Sequence, residues 1–120
     1  MPRIVLAEDD ATMAGLLGTL LRMDGYEVIS VDGEADLAEA VERIRPDALV
    51  LDMIFAQQNG LDLVGNIRRS KFGRGLYILM ISGLSVRDDC LRCGANDFLL
   101  KPFMPDELTT LLRSHLAAPS

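Results

Sequence analysis

Short apolar runs alternate with amphipathic stretches along the whole 120-residue chain, and three of those runs end in polar residues suited to phosphate chemistry. Ile4 to Ala7 runs into Glu8-Asp9-Asp10, Ala48 to Leu51 into Asp52, and Phe98 to Leu100 into Lys101-Pro102. Continuous apolar strands separated by helical patterns belong to parallel sheets covered on both faces, since each crossover helix must pack back on the sheet. In such sheets ligands bind in the crevice outside the carboxyl ends of the strands. The carboxylates and the lysine are therefore expected to share one cleft.

The pattern predicts five strand-then-helix units. Strands are expected at Arg3 to Ala7, Glu27 to Val31, Asp47 to Asp52, Tyr77 to Ser82 and Asp97 to Leu100. A helix from Ala11 to Met23 carries Met13, Leu17, Leu20 and Leu21 on one face, and Gly25 is its expected stop. The next runs from Glu34 to Ile44 with Leu37, Ala40, Val41 and Ile44 inward, and Pro46 ends it. After a polar loop, Gln57-Gln58-Asn59-Gly60, a third helix reaches Arg69; a short one spans Ser85 to Arg92. The last opens at Pro105-Asp106-Glu107 and runs to Leu116. The fold class is α/β, a doubly wound five-stranded parallel sheet with helices on both faces. No internal boundary or repeat interrupts it, so residues 1–120 read as one domain, and Ala117 to Ser120 reads as a terminus or the start of a linker.

A hydrophobic fraction of 49% suffices for an ordinary core without disulfides or metal staples. The net charge of -6 argues against a general nucleic-acid or membrane-surface role, because those partners recruit positive faces. No apolar run is long enough to span a membrane and the amino terminus lacks signal-peptide zones, which points to a cytoplasmic location. Cys90 and Cys93 have C-x-x-C spacing but no second pair, and the single histidine, His115, is remote. They read as unpaired, partly buried thiols. The basic stretch from Arg68 to Arg74 reads as a solvated helix end.

At this point the residues resemble a known family, the receiver domains of two-component response regulators, which have flavodoxin-like topology with strand order 2-1-3-4-5. The likeness covers nearly the whole chain. It rests on Glu8-Asp9-Asp10 after strand one, Asp52 after strand three with Gly60 eight residues on, Ser82 after strand four, and Asp97-Phe98-Leu99-Leu100-Lys101-Pro102-Phe103 at strand five. Each element is weak alone, and four in the right order form a specific set. Asp10 also suits a helix amino-terminal cap, and Asp52 or Lys101 by itself could be a strand-end turn residue or a surface charge.

What the resemblance implies is a phosphorylation-controlled switch with self-catalysed chemistry rather than a turnover enzyme. Asp52 would be the phosphoacceptor, and Lys101 and Ser82 would contact the phosphoryl oxygens. Several carboxylates in one cleft repel, each like-charge pair at ~4 Å costing about 4 kcal/mol at an effective dielectric near 20, so a cation is required. By the resemblance it is Mg2+, with Asp9, Asp52 and the Ile54 backbone carbonyl as ligands and Glu8 acting through water. Ser82 and Phe98 would form the switch, Phe98 without the hydroxyl of a tyrosine. The phosphoryl group would come from a histidine kinase or a phosphotransfer protein, and the output would go to a downstream protein target or a fused effector domain, with no nucleic acid or membrane bound by this domain.

Two departures from the family pattern stand out. Phe55-Ala56 replaces a common Met-Pro, and the interval from Ser82 to Lys101 is about three residues short, roughly one helical turn. The fourth helix should be short, which weakens the expectation of a standard dimer and favours a monomer or weak homodimer. Competing readings are a small metal-dependent phosphatase, a flavin carrier and a phosphorylation-independent scaffold. The first lacks a second acid after Asp52-Met53-Ile54 and a cap domain; the second lacks a phosphate loop after strand one. The intact constellation argues against the third.

Overall fold

A computed structural model describes residues 1–33 and 36–116. In chain order it contains β1 (Arg3–Ala7), α1 (Ala11–Met23), β2 (Glu27–Val31), α2 (Leu37–Ile44) and β3 (Ala48–Asp52). A two-stranded antiparallel ribbon, β4 (Ile54–Phe55) with β5 (Gln58–Asn59), leads into α3 (Gly60–Arg69). Then come β6 (Tyr77–Ser82), α4 (Arg87–Cys93), β7 (Asp97–Leu100) and α5 (Pro105–His115). The main sheet is parallel in the order β2-β1-β3-β6-β7, the expected 2-1-3-4-5 winding once the ribbon is set aside.

Strand alternation divides the core in two. Ile4, Leu6, Ala48, Val50, Leu79, Ile81 and Leu99 face α1 and α5, where they meet Leu17, Leu21, Leu108 and Leu112. Val5, Ala7, Leu49, Leu51, Ile78, Met80 and Phe98 face α2, α3 and α4, against Leu37, Val41, Val64, Ile67 and Cys90. Burying a side chain of this size contributes about 1.5–3 kcal/mol, so both faces are firmly held. The central strands β1, β3 and β6 thereby fix the backbone at their carboxyl ends, where the polar residues begin. Among the described residues no helix is long and apolar enough to cross a membrane.

The helix ends follow local chemistry. Asp10 caps α1 by accepting the Met13 N–H, and Gly25 takes φ 96 just beyond it, as the stop signal requires. Asn59 caps α3, accepting the Leu61 N–H. The expected start of the second helix at Glu34, and the tail Ala117 to Ser120, lie outside the described residues.

Four expectations need correction. The third strand begins at Ala48, because the Asp47 carboxylate turns to accept the Arg3 N–H at 2.7 Å. The fourth helix spans Arg87–Cys93 instead of Ser85 to Arg92, since Ser85 and Val86 complete the turn after β6; it is short, as anticipated, and its last turn holds two free thiols, Cys90 and Cys93. The polar loop after Asp52 is an ordered hairpin whose tip, Ala56 and Gln57, adopts φ 56 and φ 62. Finally, Arg68 is no solvated helix end. Its guanidinium donates to the carbonyls of Gly73, Leu76 and Gly94 and to Asn96 Oδ1, tying the end of α3 to the entries of β6 and β7.

Candidate functional site

Three strand ends converge. Asp52 is the last residue of β3, paired with Ile81 of β6, while Glu8 follows β1 and Lys101 follows β7. The Lys101 N–H donates to the Ser82 carbonyl at 2.7 Å, and Lys101-Pro102 is a cis peptide. From this position Lys101 Nζ reaches Asp52 Oδ2 at 2.6 Å and Glu8 Oε2 at 3.3 Å. Glu8 and Asp52 are only 8% and 9% exposed, so one ammonium serves two buried carboxylates.

That imbalance shows in the ionisation of the pair. Burial pushes the Glu8 carboxyl above its ordinary range, and its hydrogen bond with Asp52 adds to the rise. Burial acts upward on Asp52 too, but hydrogen bonds from Glu8, from Lys101 and from the Ile54 N–H at 3.0 Å outweigh it and hold Asp52 low. Of the two, Asp52 is the easier to ionise and Glu8 the harder. The same two carboxylates overcome the burial of Lys101 and raise its pKa. The Asp52 carboxylate is charged at neutral pH, and one ammonium faces two carboxylates in the cleft.

Asp9 stands apart from this triad. Its Oδ2 accepts the N–H of Ala56, at the ribbon tip, at 2.5 Å. Among the described residues no three carboxylate, thiol or imidazole groups are gathered as a metal-binding set. The donor chemistry nevertheless fits a hard divalent cation: two buried carboxylates, Glu8 and Asp52, share one ammonium, with the Asp9 carboxylate on the adjoining residue.

Ser82 ends β6 with its residue almost wholly buried, and its Oγ accepts the Leu84 N–H at 3.0 Å. Phe98, opposite Met80 in the β6–β7 ladder, lies on the same face as Ser82 and borders a cleft of about 560 Å³ with Val86, Arg87, Arg92 and Leu100. The structure therefore brings together Glu8, Asp52 and Lys101, sets Ser82 and Phe98 alongside on one face, and leaves Asp9 on the hairpin. Ile54 projects its side chain to solvent while its N–H holds Asp52.

Sequence reasoning noted Ala56 only as a departure from the family pattern and did not single out Gly33, because a backbone N–H carries no signature in the residue type. Gly60 was noted only as part of a pattern, and its physical reason is steric. A Cβ there would lie 2.6 Å from the Met53 carbonyl, which accepts the Gly60 N–H at 2.5 Å to close the loop below the ribbon.

With this geometry in place, the comparisons with known proteins agree with one another. Residues 4–113 match the family model of the response regulator receiver domain. The DNA-binding response regulator MtrA of Mycolicibacterium paratuberculosis is 32% identical over 117 residues, covering 95% of this chain and 51% of that protein. The chain spans about half the length of the curated relatives it matches. A crystal structure of the receiver domain of sensor histidine kinase PA1611 from Pseudomonas aeruginosa, described with a magnesium ion coordinated in the active site cleft, has a TM-score of 0.84 at 32% identity, covering 95% of this chain and 96% of that one. A putative response regulator from Chloroflexus aurantiacus has a TM-score of 0.86 at 32% identity, with 94% and 95% covered.

Proposed function

The chain belongs to the response regulator receiver domains of two-component systems, phosphorylation-activated switches, and from that premise we propose that Asp52 is its phosphoacceptor. The observation that carries this is the Lys101 ammonium 2.6 Å from Asp52 Oδ2 at the shared carboxyl edge of β3 and β7. An Asp52 carboxylate oxygen attacks the phosphorus of a phosphohistidine on a histidine kinase or phosphotransfer protein. The O–P bond forms as the P–N bond breaks, and the imidazole leaves with the bonding pair. Lys101 then offsets charge on the phosphoryl oxygens, and Ser82 turns its hydroxyl from the Leu84 N–H toward one of them. Chemistry of this kind is self-catalysed by the receiver.

The residues that would hold a magnesium ion are Asp9, Asp52 and the Ile54 carbonyl, with Glu8 through water. The ion would supply the positive charge that a single ammonium leaves lacking. We read residues 1–120 as one receiver domain whose output is a changed protein surface, presented to a downstream target or a fused effector domain. Magnesium with beryllium fluoride, a mimic of the phosphoryl group, tests this reading. Amide resonances next to Asp52, at Ser82 to Leu84 and at Lys101 should shift together; an unmoved spectrum would reject it.

A further inference from the structure

The Asp9 carboxylate is already occupied. It joins three segments: Oδ2 accepts the Ala56 N–H at the ribbon tip, and Oδ1 lies 3.4 Å from the point where a Cβ on Gly33 would sit. That same Cβ would be 2.5 Å from the Cβ of Ala56, so the tip rests directly on Gly33 after β2. Ala56 and Gln57 both hold left-handed backbone without being glycine. Such a turn persists only where its surroundings over-determine it. Here the surroundings are the Asp9 carboxylate, the buried Phe55 ring and the close seat on Gly33.

We propose that Asp9 and the ribbon form a cation-operated latch, in which the Ala56 N–H and the magnesium ion compete for one carboxylate. The inference rests on the reading of Asp9 as a ligand. In the latched form Asp9 does not converge with Glu8 and Asp52, so joining a shared ion means turning away from Ala56 and giving up a charge-assisted hydrogen bond. Coupling of this kind is reciprocal: the latch weakens cation affinity by the same factor by which the cation opens the latch. Opening frees a tip whose flank is Ile54, 60% exposed, and whose other residues, Gln57, Gln58 and Asn59, are exposed and polar. Cation loading alone would then remodel the surface at the mouth of the site, before any phosphoryl group arrives.

The test is a magnesium chloride titration of the whole 15N-labelled chain, following the Ala56 and Gln57 amides and their exchange with solvent. In step with the amides beside Asp52, the Ala56 resonance should move upfield and its exchange should accelerate by about tenfold or more, as expected when a charged acceptor is withdrawn. Gly33→Ala would put a methyl 2.5 Å from the Ala56 Cβ but at ordinary contact distance, 3.4 Å, from Asp9 Oδ1, so its main effect is to displace Ala56. It should bring the Ala56 amide toward its magnesium-loaded position without metal and tighten magnesium binding about fivefold. Amides beside Asp52 that titrate while Ala56 keeps its shift and protection would overturn the latch and leave the metal reading intact, as would a displaced Ala56 in Gly33→Ala with unchanged affinity. A spectrum in which nothing titrates would remove the metal reading itself, and the latch with it. Should Gly33→Ala not fold, the wild-type titration decides alone.

Discussion

Lys101 Nζ lies 2.6 Å from Asp52 Oδ2 and 3.3 Å from Glu8 Oε2, bridging the ends of β3 and β1 from the far side of the sheet. The ladder β1-β3-β6-β7 sets this spacing, since each strand end is fixed by the core below it. One ammonium for two buried carboxylates leaves negative charge in excess at the sheet edge. It also makes Lys101 the group whose loss should be felt first by the incoming phosphoryl oxygens.

Lys101→Ala should therefore accept phosphate from acetyl phosphate about tenfold to a hundredfold more slowly, the equivalent of one charge-assisted contact of roughly 1.5–3 kcal/mol. Time-resolved intact mass in saturating magnesium measures it. A wild-type rate would show that the 2.6 Å contact has no role in transfer.

The pH dependence of stability has opposite signs at the two carboxylates. Glu8 has a folded pKa above the ordinary 4.5, so its contribution is fully present at lower pH and is lost as pH rises through the raised value. Asp52 has a folded pKa below the ordinary 3.8, so its contribution is present above that pH and is lost as pH falls through the lowered value. Glu8→Gln should raise the Tm of the metal-free protein more at pH 8 than at pH 5. Thermal melts that show a larger gain at pH 5 would contradict the assignment.

Ser82 and Phe98 should carry the signal from the phosphoryl group to α4. A ligand shifts a conformational equilibrium only by its differential affinity, and the Ser82 Oγ, which accepts the Leu84 N–H, has its O–H to donate to a phosphoryl oxygen in the active state. Ser82→Ala should still be phosphorylated, with the active population lowered about tenfold to a hundredfold. Amide shifts induced by beryllium fluoride across Arg87–Cys93 report it. Wild-type shifts in both Ser82→Ala and Phe98→Ala would leave the two residues without a switching role.

The strands and helices were legible because each depends on local pattern: apolar runs, a cap at Asp10, stops at Gly25 and Pro46; the winding order came with the family resemblance. The ribbon was not, since Ala56 and Gln57 occupy a left-handed turn that normally advertises itself with glycine or asparagine. Nor was Arg68, whose role is set by carbonyls of Gly73, Leu76 and Gly94 that carry no sequence signal. For Asp9 the family resemblance implied a ligand, while in the structure its side chain is engaged by a backbone N–H from a distant loop.

Arg68→Ala should destabilise the fold by about 2–4 kcal/mol, because it strips the donors from several part-buried carbonyls at once. Urea unfolding measures this directly. A loss under about 0.5 kcal/mol, the ordinary range for a surface substitution, would mean that the guanidinium contacts are incidental.

The central claim is that Asp52 receives the phosphoryl group, and intact mass of wild type and Asp52→Asn after incubation with acetyl phosphate and magnesium tests it most directly. The wild type should gain the mass of one phosphoryl group, lost again when magnesium is chelated and the acyl phosphate is treated with hydroxylamine, while Asp52→Asn gains none. A variant that takes up phosphate at the wild-type rate would contradict the account.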